Sequence, residues 1–461
     1  MWRPVAVAAA LAALSLAVVA PAPAYDPWMW LLWGREVADG MLDTRAGPAF
    51  KPLPVAVCAL LAPLGAAAPV LWVLLVRTAG LLAAYLAWRV ARRLAGGSRL
   101  AGALAVAAAL ACGRLLAFTA SGAEPALVVA AALGGVEAWA AGRPRLALGC
   151  AVACGLLRVE AWPFLLAGGV VLWRRAPEHR AALAFAAVLV PAAWFVPEWL
   201  GSGDLLRSGA RARIPNPGQP ALAAVPGLAS LRAAVQLVPW PLWIGVAALV
   251  AGAVRERRPA LLVAGEPGRS WRVHGPALLL AGAGAAWILL VALMAQAGFS
   301  GEPRYALPGA ALIGVAGAAG LGAAARRPGR GRVVALGAAL LLAVPVAARV
   351  AALPGLRAGQ AYQWRLAGEL GDAVRAAGGR AAVLACGTPY VGPLRGPVMA
   401  YRLHVRKAAV QPDAPPLPPG MVFRSRLTAD SPAAPAAPGA FAPVARTERW
   451  RVLGACRLRV P

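Results

Sequence analysis

Charged side chains are scarce in this chain. Many of those next to its apolar runs are predicted to lie at helix ends or in loops on the same side of a membrane. The acidic members are Asp26, Glu36, Asp39, Asp43, Glu124, Glu160, Glu198, Asp204 and Glu302. The basic members are Arg35, Arg45, Lys51, Arg158, Arg207, Arg211, Arg213 and Arg304. A carboxylate can take a proton from an attacking hydroxyl, while guanidinium and ammonium groups neutralise a departing phosphate. The pattern favours a reaction between a lipid-linked phosphate and a polar acceptor.

The stretch 25–53 has the most concentrated mixture of acids, bases and tryptophans. Asp26 precedes a proline, which predicts a helix start with the aspartate as N-cap. Trp30, Trp33 and Val37 fall on one side of that helix and are predicted to anchor it in the membrane interface. The stretch is therefore predicted to be an outer interfacial loop, and a helix cap is the structural alternative to a chemical role for Asp26.

The composition is that of a membrane protein, because 60% of the residues are hydrophobic and only 14% are charged. The net charge of +28 does not indicate nucleic-acid binding. The arginines punctuate apolar runs instead of forming one basic surface with stacking aromatics. They are typical of loops that fix membrane topology.

The apolar runs predict an all-α polytopic membrane domain over 1–353, outer loop 24–53 included, with about eleven crossings. The predicted spans are 3–22, 68–91, 100–119, 124–141, 146–158, 161–174, 181–199, 236–254, 276–297, 305–325 and 332–353. The charge pattern predicts a plasma-membrane protein with a cytoplasmic N-terminus and an extracytoplasmic C-terminus. Residues 1–24 also fit a secretory signal with an A-x-A site, but a retained first helix is favoured.

The stretch 146–173 has two interpretations. As one helix it would bury Arg158 and Glu160 at the bilayer centre. As two short helices it would place both residues at a hairpin tip in an outward cavity, and this second interpretation is favoured. At that tip the two side chains could form an ion pair or serve the reaction.

The tail, 354–461, is predicted to be a small extracytoplasmic α/β domain. The segment 360–377 has the apolar spacing of a helix, whereas 381–385 and 450–460 are typical of strands. Cys386 and Cys456 are predicted to form a disulfide or to remain two buried thiols.

Several reaction classes lose support because their motifs are absent. The sequence contains no phosphate-binding loop and no GxSxG nucleophile elbow. Its histidines, His179, His274 and His404, show no metal-ligand spacing. No cofactor follows from the sequence, although Asp26 and Asp43 could hold a divalent cation instead of acting as bases.

Three further site candidates each have a structural alternative. Asp43 could form a turn, and Glu124 could begin a helix. Arg304 with Tyr305 could anchor a helix end or bind a phosphate.

Four short motifs resemble the GT-C superfamily of integral membrane glycosyltransferases, in an actinobacterial branch. They are Tyr25-Asp26-Pro27-Trp28, LDTRAGPAFKPLP at 42–54, LLRVEAWPFLL at 156–166 and GEPRYALP at 301–308. The resemblance implies a polyprenyl-phosphate-linked sugar donor and inverting transfer on the outer face to a glycan, lipid or protein acceptor.

The resemblance also implies that Asp26, the first-loop aspartate, is the base. Many members carry a second acid directly after this residue, but here a proline follows. Asp43, Glu124 and Glu160 are the candidates for the second carboxylate. By position, Lys51, Arg158, Arg304 and Tyr305 would bind the donor phosphate or sugar.

Two other functions stay open. A transporter or lipid flippase would carry ionisable residues near the bilayer centre, where Arg77 and Arg114 are the candidates, and it would show an inverted repeat, which the sequence does not show clearly. A non-catalytic envelope scaffold would lose function when 354–461 is deleted but would keep it when Asp26 is changed.

Overall fold

A computed structural model describes residues 2–260, 269–326, 328–411 and 415–456. The α-helices are α1 Trp2–Val18, α2 Tyr25–Ala38, α3 Pro52–Leu61, α4 Ala68–Leu94, α5 Arg99–Ala111, α6 Gly113–Ala120, α7 Pro125–Ala140, α8 Pro144–Leu157, α9 Trp162–Arg175, α10 Arg180–Ser202, α11 Arg207–Ala212, α12 Pro226–Val235, α13 Pro241–Ala260, α14 Arg269–Gln296, α15 Pro303–Ala324, α16 Arg330–Ala351, α17 Leu353–Ala376, α18 Gly379–Cys386 and α19 Gly396–Leu403. Short 3-10 turns are Ala62–Ala67, Val159–Ala161, Pro177–His179, Pro220–Leu222 and Lys407–Ala409. The strands are β1 Thr388–Val391, β2 Gly420–Arg426, β3 Ala433–Ala434, β4 Ala442–Arg446 and β5 Arg451–Ala455.

The helices confirm a multi-pass membrane protein. Among the described residues, five helical stretches are long and apolar enough to cross a bilayer: Pro52–Leu94, Pro177–Ser202, His274–Gln296, Pro303–Ala324 and Arg330–Ala376. The pair α5 and α6, bent by 69°, would make a sixth. Each of the eleven predicted spans overlaps a helix, but α1, α7, α8 and the apolar part of α13 are shorter than a full crossing. The predicted number of crossings is therefore approximate.

Helix α15 forms the centre of the membrane bundle because small residues let its neighbours approach closely. A side-chain carbon on Gly317 would lie 2.3 Å from the carbonyl oxygen of Leu242 in α13, and one on Gly309 would lie 2.6 Å from that of Gly284 in α14. These backbone contacts leave α15 little freedom to shift, and they fix the position of the charged residues at its N-terminal end.

Arg77 in α4 has backbone partners instead of an acidic one. Its guanidinium donates to the carbonyl oxygens of Val19 at 2.8 Å, Ala20 at 3.0 Å and Ala120 at 3.0 Å. The same group donates to the hydroxyl of Ser15 at 3.2 Å. Arg77 therefore joins the end of α1 to the end of α6, and this structural use accounts for a charge that the transporter interpretation would assign to a transport pathway.

The tail is an α/β arrangement, as predicted. Its sheet has the order β1-β2-β5-β4, with β1 and β2 parallel and the other pairs antiparallel, and β3 adds to β2. All of the predicted helix 360–377 except its last residue falls within α17. The predicted strand 450–460 contains β5, and its residues from 457 onward lie outside the described residues.

The predicted strand 381–385 is wrong, because this segment lies within α18. Alanine is the strongest helix former, and the segment is rich in it. Its buried residues, Val383 and Cys386, follow helical spacing. Cys386, at the end of α18, forms a disulfide with Cys456.

Helix α2 is buried between α3 and the tail, which corrects the prediction of a tryptophan side facing lipid. Trp30 and Trp33 are fully buried, and Val37 is the exposed member of the predicted side. The core that contains these tryptophans continues into the tail through residues such as Met399 and Phe423. The tail therefore covers the helix that carries Asp26.

Candidate active site

Asp26 lies in the first turn of α2, and the N-cap residue of that helix is Ala24. The prediction of Asp26 as the N-cap is therefore wrong, because the helix begins at Tyr25, two residues earlier than predicted. The Asp26 carboxylate instead accepts a hydrogen bond of 2.8 Å from Nη1 of Arg304, a residue 278 positions away in sequence. Arg304 Nε also lies 2.7 Å from a carboxylate oxygen of Glu302.

A second ion-pair group surrounds Glu124, which is fully buried. Lys51 Nζ donates to Glu124 Oε1, and Arg158 Nη1 lies 3.4 Å from the same oxygen. Arg158 Nε is in turn 3.6 Å from Glu160. Residues predicted separately as second acids and phosphate binders therefore lie in one connected group.

Aromatic rings form a wall beside these cations. The guanidinium carbon of Arg158 lies 3.8 Å from the ring centre of Tyr305, and that of Arg304 lies 5.3 Å from it. Lys51 Nζ is 5.2 Å from the ring of Trp30. Tyr305 thus lies between two cations, so the Asp26–Arg304 pair and the Glu124 group belong to one charged cluster. We use the name charged cluster for the following set: Asp26, Lys51, Glu124, Arg158, Glu160, Glu302, Arg304, Tyr305 and Trp30.

The elements around the charged cluster bring distant residues together. The loop before α2 pairs with the loop before α7 through a 2.9 Å hydrogen bond from Ala24 N to the carbonyl of Ser121. Trp72 Nε1 donates to the carbonyl of Gly122 at 2.8 Å. These bonds bring together the starts of α2 and α7, where Asp26 and Glu124 lie.

The break between α8 and α9 supplies two members of the charged cluster. As predicted, 146–173 contains two helices, and the backbone is extended at Arg158 before the short turn Val159–Ala161. A continuous helix would have placed Arg158 and Glu160 on different sides. The break allows both side chains to reach the cations and carboxylates of neighbouring helices.

The charged cluster has unequal numbers of acids and bases, and some of its hydrogen-bond donors and acceptors have no partner. Its carboxylates outnumber its cations by one and belong to Asp26, Glu124, Glu160 and Glu302, against Lys51, Arg158 and Arg304. Within the described residues, five buried atoms of the charged cluster have no hydrogen-bond partner: Glu124 Oε2, Arg158 Nη2, Trp30 Nε1, Glu302 Oε2 and Arg304 Nε. The last two lie 2.7 Å apart as an ion pair. The nearby cations Lys51 and Arg158 offset the cost of burying the Glu124 carboxylate.

Buried polar atoms without partners are rare in native proteins. Their concentration around Arg158 indicates a place where a ligand or water completes the hydrogen bonding. Trp30 was not predicted as a site residue, since its helical spacing with Trp33 predicted an anchor in the membrane interface.

Asp43 belongs to a different group of side chains. Its carboxylate pairs with Arg45 at 2.6 Å and lies 3.9 Å from Arg406 in the tail. Its backbone N–H donates to Glu36 at 3.0 Å, and Trp33 Nε1 donates to its carbonyl at 2.9 Å. Asp43 thus links the first loop to the tail.

Glu36 predicts a pH effect on this link. Burial raises its pKa from the usual value near 4.5 to about 7, although the hydrogen bond from the Asp43 backbone N–H acts to lower it. Between about pH 5 and pH 7 the Glu36 carboxyl is ionised in the unfolded chain but keeps its proton in the folded chain. Glu36 therefore lowers the free energy of unfolding more and more as the pH rises. We expect Glu36→Gln to flatten the fall in melting temperature over this window. Asp39→Asn, an exposed change at the C-cap of the same helix, should leave the slope unchanged.

Glu198 anchors the segment that leads to Lys51. Its buried carboxylate accepts hydrogen bonds from Ser208 Oγ at 2.6 Å and Thr44 Oγ1 at 3.3 Å. Arg207, also beside Glu198, donates to the carbonyls of Gly47 at 2.8 Å and Pro48 at 2.7 Å. This anchoring gives Glu198 and Arg207 a structural role that the sequence did not predict.

A metal shared by Asp26 and Asp43 does not fit the arrangement of these side chains, because each has its own arginine partner. No three His, Cys, Asp or Glu side chains of the described part of the chain lie close enough together to hold an ion.

Comparison with known proteins identifies the fold. No protein-family model matches the chain, and no curated protein matches it either. The structure of ArnT from Cupriavidus metallidurans bound to undecaprenyl phosphate aligns with 99% of this chain and 98% of its own. The TM-score is 0.53 and the sequence identity is 15%. This likeness confirms the predicted GT-C-like membrane fold with its small C-terminal α/β unit.

Proposed function

Starting from a GT-C-like fold built around the charged cluster, we propose that this chain is a membrane glycosyltransferase. It transfers a sugar from a polyprenyl-phosphate donor to a hydroxyl of a cell-envelope acceptor. The observation that carries the proposal is the Asp26–Arg304 pair, held beside the two further cations Lys51 and Arg158. The ArnT structure contains a polyprenyl phosphate, which supports the donor class.

The proposed step uses Asp26 as the general base. The acceptor hydroxyl attacks the anomeric carbon, a new C–O bond forms, and the bond to the phosphate oxygen breaks on the opposite side. The hydroxyl proton passes to the Asp26 carboxylate, and polyprenyl phosphate leaves with the bonding electron pair. Attack opposite the leaving group inverts the configuration at that carbon. Lys51, Arg158 and Arg304 neutralise the charge that develops on the phosphate.

The carboxylate partners of these cations suggest how the donor would bind. Arg304 donates to Asp26, so a phosphate that takes over this hydrogen bond leaves Asp26 free to accept a proton. Arg158 Nη2 has no partner among the described residues and provides a second donor to the phosphate. Donor binding and activation of the base are then one exchange of hydrogen bonds, centred on Arg304.

The same proposal gives roles to the second acids, to the two domains and to the acceptor. Glu124 and Glu160 orient Lys51 and Arg158 and are the preferred second acids, whereas Asp43 joins the first loop to the tail. The reaction takes place on the outer face, with residues 1–353 as the membrane domain and 354–461 as an extracytoplasmic domain that contacts a glycan, lipid or protein acceptor.

The proposal is tested by a transfer assay with purified protein in lipid nanodiscs and a set of polyprenyl-phosphate sugars. We expect a covalent product whose new anomeric centre, read by NMR, is inverted relative to the donor. Accumulation of an unmodified substrate inside sealed vesicles, with no covalent product, would identify a transporter instead.

Arg158 provides a separate prediction about donor binding. Removing a charge-assisted hydrogen bond costs about 1.5–3 kcal/mol, so Arg158→Gln should weaken binding of polyprenyl phosphate by about 10- to 100-fold. Arg158→Lys should recover part of this loss. Arg45→Gln is the matched control, because Arg45 lies in the first loop with its side chain 61% exposed. Equal affinities of Arg158→Gln and the wild type, measured by calorimetry, would remove Arg158 from the donor site.

A further inference from the structure

The end of α4 farthest from the charged cluster forms a basic pocket. It is lined by Trp88, Arg89, Arg92, Arg93, Gly97 and Glu137, is open to the surface and has a volume of about 350 Å³. This volume lies within the range of about 300–1,000 Å³ that is typical of small-molecule sites. The pocket shares no residue with the charged cluster, and the proposed reaction does not use it.

One carboxylate orders two of the arginines. Glu137 Oε1 accepts hydrogen bonds from Arg89 Nη2 at 2.6 Å and from Arg93 Nη2 at 2.8 Å. Both arginine side chains are 42% exposed, so N–H groups on them still face the pocket opening. Because one acid serves two bases, the pocket stays positively charged even before Arg92 is considered.

Arg92 is held by an aromatic ring instead of an acid. Its guanidinium carbon lies 4.4 Å from the ring of Trp88, which stacks in turn with Tyr85 at 6.2 Å. Its Nε is buried and has no hydrogen-bond partner within the described ranges. Gly102 of α5 makes room for this arrangement, since a side-chain carbon there would lie 2.4 Å from Trp88 and 2.9 Å from Arg92.

The pocket lies at the opposite membrane face from the charged cluster. Near the start of α4, Trp72 packs against Trp30 of the charged cluster at 5.5 Å. Arg92 follows twenty residues later in the same helix, which at 1.5 Å per residue is about 30 Å. That length equals the thickness of a bilayer hydrocarbon core. Basic residues concentrate on the cytoplasmic side, so the pocket belongs to the cytoplasmic leaflet.

We propose that this pocket binds the phosphate headgroup of an anionic bilayer phospholipid. Arg92 and the exposed N–H groups of Arg89 and Arg93 donate to the phosphate oxygens, and Trp88 with Tyr85 lies at headgroup depth, where amphipathic rings are favoured. The proposal does not depend on the reaction assigned to the charged cluster.

The test measures the fraction of spin-labelled phosphatidylglycerol that the full-length protein immobilises in phosphatidylcholine nanodiscs. A basic residue near an anionic membrane surface contributes about 1 kcal/mol, and the hydrogen bonds in the pocket add to it. We therefore expect Arg92→Gln to weaken the association at least about fivefold. Arg92→Lys, which keeps the charge but not the planar group on Trp88, should give an intermediate value and serves if Arg92→Gln folds poorly.

Arg180→Gln is the matched control. Arg180 lies 5.4 Å from the ring of Trp173, donates to its carbonyl at 3.2 Å and is predicted to lie on the same membrane face, but it does not line this pocket. If Arg92→Gln and Arg180→Gln weaken the association with phosphatidylglycerol equally, the lipid is attracted by surface charge in general and not by this pocket. That result would overturn the proposal. Displacement of the label by millimolar inorganic phosphate, or by polyprenyl phosphate more readily than by phosphatidylglycerol, would assign the pocket to another anion and would also overturn it.

Discussion

Asp26→Asn should lower the turnover number for sugar transfer by about 10²- to 10⁴-fold, which is the usual contribution of a general base. The same change should leave the affinity for polyprenyl phosphate equal to that of the wild type or higher. The reason is that Asp26 accepts a hydrogen bond from Arg304, and an asparagine competes less strongly with phosphate for that guanidinium. Turnover and donor affinity should therefore change independently.

The measurement pairs steady-state kinetics with calorimetric titration of the donor product. Asp39→Asn is the control, because it makes the same chemical change at the exposed C-cap of the same helix. Wild-type turnover in Asp26→Asn would refute the assignment of the base. Lost turnover together with lost affinity would instead indicate that Asp26 mainly holds Arg304 in place.

Glu124→Gln should be among the most destabilising single changes in the chain. Glu124 is fully buried and is the shared partner of Lys51 and Arg158. Removing one partner of a buried ion pair leaves the other charge uncompensated and costs about 3–5 kcal/mol. We expect a lower midpoint in denaturant titrations in detergent, and saturating polyprenyl phosphate should restore part of the loss by supplying an anion to the uncompensated cations.

Asp372→Asn provides the comparison for this change. Asp372 pairs with Arg375, but the two side chains are 53% and 75% exposed, so the loss should be within about 1 kcal/mol. A Glu124→Gln loss as small as that of Asp372→Asn would mean that the buried carboxylate is not needed to balance Lys51 and Arg158.

The sequence was most informative where a charge interrupted an apolar run. Arg158 and Glu160 could not be placed at the bilayer centre at acceptable cost, so a helix break was predictable, and the structure contains one. The individual pairs were not predictable in the same way. Arg304 and Asp26 lie 278 positions apart, and only the packing of α15 against its neighbours determines that they meet.

The wrong predictions for α2 and for 381–385 have different physical causes. Amphipathic spacing identifies a side of a helix that must be covered but does not say whether lipid or protein covers it. For Trp30 and Trp33 the cover is the protein itself. The segment 381–385 was assigned as a strand from its apolar composition, although its alanine content favours the helix that forms.

The shared core of α2 and the tail has a consequence for deletion experiments. Truncation at 354 would expose Trp28, whose ring lies 5.4 Å from Tyr401, and would remove the carbonyl of Tyr401 to which Arg35 donates at 2.8 Å. The helix that carries Asp26 would lose its support, so a truncated chain should be inactive whether the tail recognises an acceptor, presents a scaffold or only fills space. The tail is part of the packing that supports α2 and cannot be removed as an independent module. Its role must be tested with point substitutions on its exposed surface.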